Sequence, residues 1–125
     1  MPDTHVTIVG NLTDDPEVTF TPNGAAVTNF RVAVTARIKD GDTWRDGDTS
    51  FYRITAWRQL AEHIGDSLSK GHRVIVYGTL RQRSWQTEDG ERRSAVEVQA
   101  EEVGPSLKWA TAKPQRTSRT NDDPS

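Results

Sequence analysis

The stretch Phe51-Tyr52-Arg53-Ile54-Thr55-Ala56-Trp57 holds the residues best suited to chemistry at a surface. In an extended strand, side chains alternate between two faces. One face then carries Phe51, Arg53, Thr55 and Trp57, the other Tyr52, Ile54 and Ala56. The second face suits a core. The first sets two large aromatics around an arginine where a core has no use for them. Leu80 to Trp85 repeats the pattern. Arg81, Arg83 and Trp85 share a face that continues upstream through Thr79 and Tyr77, while Val74, Val76, Gly78 and Leu80 point the other way. Rings interleaved with arginines on a sheet suit a single-stranded nucleic acid, whose splayed bases stack on rings while cations follow the phosphates. Blander accounts exist. Strand aromatics usually fill cores, and Arg81 and Arg83 could protect a strand edge from aggregation. The face shared by Phe51, Arg53 and Trp57 weighs against them.

Other chemistry is poorly supported. His5, His63 and His72 fall on different elements, and no Asp or Glu completes metal-ligand spacing near any two of them. Asp14, Asp15 and Glu17 could be read as a carboxylate site for a divalent ion, as a nuclease requires, but an Asp-Asp-Pro turn accounts for them better. Asn23-Gly24 is a turn, since no Gly-Lys-Ser pattern follows to cradle a phosphate. No cofactor is implied.

The elements that must position these residues follow from periodicity and turn chemistry. His5 to Leu12 alternates and reads as a strand, broken by Asp14-Asp15-Pro16. Thr21-Pro22-Asn23-Gly24 is a turn, with Pro set for the first central position and Asn-Gly tolerant of positive φ. Val27 to Ile38 is a long strand with Phe30, Val32 and Val34 inward and Asn29, Arg31 and Arg37 outward. Lys39 to Asp48 reads as a polar loop with Trp44 near its tip, and Thr49 to Trp57 as the next strand. From Arg58 to Lys70 the period changes, with Leu60, Ala61, Ile64 and Leu68 on one helical stripe and Gly71 where a C-terminal glycine belongs. His72 to Trp85 and Arg93 to Val103 are strands joined by a turn at Glu88-Asp89-Gly90-Glu91, with Val96 and Val98 inward. Gly104-Pro105 is expected to interrupt, and Ser106 to Ala110 to add a short strand. The order predicts an all-β, five-stranded OB barrel with one helix between its third and fourth strands, whose binding surface lies on the second and third strands and their loops. Residues 1–112 make that domain, and the polar, proline-bearing residues 113–125 are expected to be a disordered tail.

Composition fits. One compact domain accommodates 125 residues, a third of them apolar. No window is apolar enough to suggest a membrane span or a secretory leader. The absence of cysteine excludes disulfides and thiolate metal sites and points to a reducing cytosol. The net charge of −2 argues against nucleic acid, yet Phe51 to Trp85 holds six basic residues (Arg53, Arg58, Lys70, Arg73, Arg81, Arg83) against Glu62 and Asp66, a local +4. Local patches, more than totals, set the field that a ligand meets.

Several motifs, in order, resemble bacterial single-stranded DNA-binding proteins. They are Val6-Thr7-Ile8-Val9-Gly10-Asn11-Leu12, Asp15-Pro16-Glu17, Thr21-Pro22-Asn23-Gly24, Asn29-Phe30-Arg31-Val32-Ala33, Leu68-Ser69-Lys70-Gly71, Val76-Tyr77-Gly78-Thr79-Leu80 and Arg81-Gln82-Arg83-Ser84-Trp85. Gly104 to Ala112 is similar to an extension of actinobacterial members, which clamps neighbouring subunits with an extra strand. The resemblance implies a homotetramer that binds single-stranded DNA without catalysis, in replication, recombination or repair. It places stacking aromatics at Phe51, Trp57 and Trp85 and phosphate contacts at Arg53, Lys70, Arg81 and Arg83. A fourth family aromatic falls on Ile38, and Trp44 in the same hairpin is a candidate substitute. Trp109 reads better as an interface residue than as a base platform.

The ending Asn121-Asp122-Asp123-Pro124-Ser125 lacks the family's glycine-rich spacer and acidic, hydrophobic tip, so few tail-recruited partners are expected, as in the short second copy of some actinobacteria. Two rival readings stand. One is an OB-fold primosome module, or a partner of a full-length paralogue, with weak DNA binding. The other is a small barrel nuclease.

Overall fold

In the computed structural model, described here for residues 3–118, six strands and one helix follow the order β1 (His5–Leu12), β2 (Glu17–Phe20), β3 (Ala26–Asp40), β4 (Thr43–Trp57), α1 (Arg58–Ser67), β5 (Arg73–Gln86) and β6 (Arg92–Pro105). The sheet runs β1-β5-β6-β4-β3-β2. A second pairing, Asn11 with Ala33 and Leu12 with Val32, joins β1 to β3 and closes a ring of five strands. All neighbours are antiparallel except β4 and β6. This is the OB order, with α1 between the third and fourth barrel strands; β2, which the sequence reading missed, is a four-residue addition to the rim of β3. Closure depends on Gly10: a Cβ there would collide with the Ala33 carbonyl oxygen.

The barrel interior holds Ile8, Leu12, Phe30, Val32, Ile54, Val74, Val76 and Val98, and Ala61, Ile64 and Leu68 cap one mouth. Alternation explains this filling, since every strand turns one apolar row inward. Two residues assigned inward on the same logic are exposed instead, Tyr52 at 38% and Val96 at 55%. Val96 lies on β5–β6 where that hairpin extends past the barrel, so parity still aims it inward after the core has ended; Tyr52, opposite the fully buried Val32, lines an open cleft at the barrel with Val6, Ile8, Val34 and Leu80.

The segment expected to be a polar loop, Lys39 to Asp48, is mostly strand. β3 and β4 pair as far as Asp40 with Thr43, around Gly41 at φ 67°, the sign a type II′ hairpin needs at its first central residue. Cross-strand charge pairs, Arg37 with Asp46 at 3.6 Å and Arg45 with Asp40 at 3.8 Å, suit a solvated ladder. The helix is shorter than its periodic stripe predicts. It ends at Ser67, and Leu68 is already extended although its N–H still donates to the Ile64 carbonyl. Gly71, at φ 90°, therefore serves a tight turn in which the His72 N–H donates to the Ser69 carbonyl.

Gly104-Pro105 does not interrupt β6: Ile75 pairs with Gly104 and Val74 with Pro105. The irregularity lies earlier, where β6 has one extra residue, Glu101, opposite Tyr77 and Gly78. Ser106–Ala110 forms no strand within the single chain; the Ser106 N–H donates to the Arg73 carbonyl, and the segment turns away with Trp109 over Arg73. Residues 113–118, assigned to the tail, have no regular structure and reach back over α1. Thr117 Oγ1 lies 3.1 Å from His63 Nε2, and Gln59 Nε2 donates to the Ser118 carbonyl at 2.9 Å. The acidic ending at Asp122 and Asp123 lies outside the described residues.

Candidate nucleic-acid interface

Four neighbouring strands, β5-β6-β4-β3, present one continuous outer face. Register builds it in rows. Arg81 stands opposite Glu97, Glu97 opposite Arg53, and Arg53 opposite Arg31. The next row is Thr79, Gln99, Thr55 and Asn29. Phe51 and Trp57 lie on β4 at either side of these rows, opposite Ala33 and Val27, and Arg83 and Trp85 continue along β5.

The aromatics of this face are exposed: Phe51 at 59%, Trp57 at 40% and Trp85 at 43%. Their rings have cationic neighbours. The Arg31 guanidinium is 5.8 Å from the Phe51 ring centre, and that of Arg83 is 5.3 Å from the Trp85 ring. Such contacts hold a flexible cation beside a flat platform. Arg53 Nε is 3.8 Å from Glu97 Oε2, Arg83 Nε is 3.4 Å from Glu97 Oε1, and Arg31 is 3.7 Å from Asp14. Thr55 Oγ1 donates to Asn29 Oδ1 at 2.8 Å and lies 3.3 Å from Glu97 Oε2.

Of the residues singled out in the sequence, Phe51, Arg53, Trp57, Arg81, Arg83 and Trp85 come together here. Lys70 borders the same surface. Its backbone N–H donates to Asp15 Oδ1 at 2.7 Å, and Asp14, Asp15, Asn29, Arg31 and Arg53 line one cleft. Trp44 stands apart at the end of the β3–β4 hairpin, opposite Lys39 and 57% exposed. Ile38, on the same hairpin, pairs with Arg45. Tyr77 does not extend the face as expected. It stacks on His5 at 5.5 Å, on the β1 side of the barrel, and Thr79 between it and Arg81 is buried.

Three contributors escaped the sequence reading of the site: Arg31, Asn29 and Glu97. The outward parity of Arg31 and Asn29 was legible, but their alignment with Arg53 and Thr55 is a matter of register. Phe20, 64% exposed, was also missed. It lines a cleft at the start of α1 with Trp57 and Arg58, and Arg58 takes the unusual φ of 60° directly after Trp57. The histidines each have structural company: His5 with Tyr77 and Glu101, His63 with Thr117, and His72 Nδ1 accepting from the Ser69 N–H. Among the described residues, no group of His, Asp and Glu is arranged to hold a metal ion, and no helix is long and apolar enough to cross a membrane.

The model of the single-strand binding protein family matches residues 3–106. The chain belongs to this family. The single-stranded DNA-binding protein of Mycobacterium tuberculosis is 55% identical over 120 residues, which span 94% of this chain and 73% of the relative. That of Corynebacterium glutamicum is 56% identical over 119 residues, spanning 94% of this chain and 53% of the relative. The crystal structure of the small single-stranded DNA-binding protein from Streptomyces coelicolor superposes with a TM-score of 0.75 at 36% identity, covering 86% of this chain and 97% of that one. As a family member, the chain shares a β-rich fold with one helix between β4 and β5, and the aromatic face lies on the two hairpins that this helix separates.

Proposed function

We propose that this protein binds single-stranded DNA with little sequence preference and protects it during replication, recombination and repair. The observation that carries this reading is the outer face of β5-β6-β4-β3. Exposed Phe51, Trp57 and Trp85 alternate there with Arg31, Arg53, Arg81 and Arg83. Every base has a π-face, so stacking tolerates sequence, while guanidinium groups bind phosphates of any nucleotide. The names of the relatives support the same ligand. Binding of this kind needs no catalytic step.

The working unit is a homotetramer. Its support is apolar surface away from the aromatic face: Val9 directly opposite Ile75, both exposed, beside the Tyr77–His5 stack, and Leu107 and Trp109 at 65% and 70% exposure. Patches of this kind mark surfaces that a partner covers.

A titration of intrinsic tryptophan fluorescence with oligothymidine tests the function. Quenching by the single strand and weak response to duplex of equal length are expected. Equal affinity for duplex would overturn the reading, since stacking requires unpaired bases. Incubation with DNA and magnesium should yield no cleavage product.

A further inference from the structure

One carboxylate sits amid the arginines of the outer face. Glu97 projects from β6 with its side chain 17% exposed, whereas Arg53 and Arg83 beside it are 52% and 61% exposed. Its two oxygens are divided between them, Oε2 toward Arg53 at 3.8 Å and Oε1 toward Arg83 at 3.4 Å. Arg81 is its direct cross-strand partner. The Thr55 hydroxyl, itself bonded to Asn29, lies 3.3 Å from Oε2 and limits where the carboxylate can turn. A carboxylate offers a guanidinium the same kind of paired anionic oxygens that a phosphodiester offers. A strand that reaches Arg53 and Arg83 must draw them from Glu97 and then lie close to its negative charge.

We propose that Glu97 is an internal competitor for phosphate: a positioning residue that holds Arg53 and Arg83 when no strand is bound and limits the affinity of the face when one is. The proposal rests on reading this face as the nucleic-acid site. Glu97 opposes a phosphate whatever base it carries, so sequence tolerance is preserved.

The test is Glu97→Gln, which keeps the side chain's shape and its hydrogen-bonding partner Thr55 but removes the charge. Oligothymidine affinity is measured over a series of salt concentrations. The expected result is several-fold tighter binding at low salt, with the gain shrinking as salt rises. The slope of log affinity against log salt should steepen by roughly 0.7 for each arginine freed. The gain should shrink markedly when Arg53→Gln and Arg83→Gln are added to the same chain, leaving only the repulsion between carboxylate and phosphate and the share of Arg81. Equal or weaker binding with an unchanged slope would make Glu97 a plain structural ion pair and overturn the proposal. A gain of undiminished size without both arginines would also overturn it, as a diffuse field effect. If Glu97→Gln unfolds, Glu97→Thr, whose branched side chain suits a strand, carries the same expectations. Failure of the wild-type protein to bind oligothymidine would refute the reading of the face itself, and is visible before any variant is made.

Discussion

Arg31 and Arg53 stand directly opposite each other on β3 and β4. Like charges so placed destabilise a sheet, typically by a few tenths of a kcal/mol to about 1 kcal/mol. Here each is drawn toward a carboxylate on its far side, Arg31 to Asp14 and Arg53 to Glu97. All four side chains except Glu97 are more than half exposed, so these pairs add little to stability. A fold has no need of two facing arginines. A ligand that carries negative charge at regular intervals does.

The aromatics give the most direct prediction. Phe51→Ala, Trp57→Ala and Trp85→Ala should each weaken oligothymidine binding by about 1–3 kcal/mol, the range typical of base stacking in this class of protein. The losses should be similar for other base compositions. All three rings are at least 40% exposed, so folding should be little changed, which circular dichroism can verify. A variant that binds normally would show that its ring lies off the path of the strand.

The arginines should act through salt. Log affinity should fall with log salt by roughly 0.7 per phosphate neutralised. Replacing Arg53, Arg81 or Arg83 by Gln should weaken binding and reduce that slope. Arg81 should have the largest effect, because no ion pair within the chain is formed by its guanidinium among the described residues, whereas the other two share Glu97. Titrations at four or five salt concentrations check this. An unchanged slope in all three variants would place these side chains away from the phosphates.

Two glycines separate backbone strain from steric collision. Gly71 takes φ 90° with open space around it, so Gly71→Ala should cost only the left-handed backbone penalty, about 1–2 kcal/mol. Gly10 has no positive φ, but a Cβ would meet the Ala33 carbonyl where β1 closes on β3. Backbone there cannot yield without opening the barrel, so Gly10→Ala should cost clearly more. Urea denaturation at one fixed protein concentration compares them, since the proposed assembly would make stability depend on concentration. Equal losses would mean that the barrel seam is softer than the packing implies.

The sequence made the face legible and left its internal electrostatics obscure. Alternation alone separates Phe51, Arg53 and Trp57 from Ile54 and Ala56, because parity is local to a strand. The helix is legible from Leu60, Ala61 and Ile64 for the same reason. What parity cannot supply is register, and register is what sets Glu97 between Arg53 and Arg81. It also cannot say where a core ends: the inward parity of Val96 continues where the β5–β6 hairpin has already left the barrel, and that of Tyr52 leads into a cleft open to solvent. Lys39 to Asp48 misleads through composition: Gly and Asp suggest a loop, while the cross-strand pairs that make it a ladder, such as Arg37 with Asp46, depend on register.

Trp109 provides the last prediction. It is the most exposed large apolar side chain in the described residues, at 70%, yet it is not idle. The Arg73 guanidinium lies 4.7 Å from its ring centre and the Lys108 ammonium 5.1 Å. Among the described residues Arg73 Nε is buried without a hydrogen-bond partner, which the contact with the ring offsets only in part. Trp109 follows β6 directly and packs at the edge made by Arg73, the first residue of β5, rather than among the rows of Arg53 and Arg81. A large ring held open beside Leu107, itself 65% exposed, suits contact with another subunit better than contact with DNA. Trp109→Ala should therefore lower the mass measured by light scattering at low micromolar concentration, or lower the thermal midpoint of the assembly. The affinity of the variant for oligothymidine should change by less than about 0.5 kcal/mol, the usual range for a surface change away from a binding site. Loss of DNA binding with the assembly intact would place Trp109 on the path of the strand and extend the interface beyond the β5-β6-β4-β3 face.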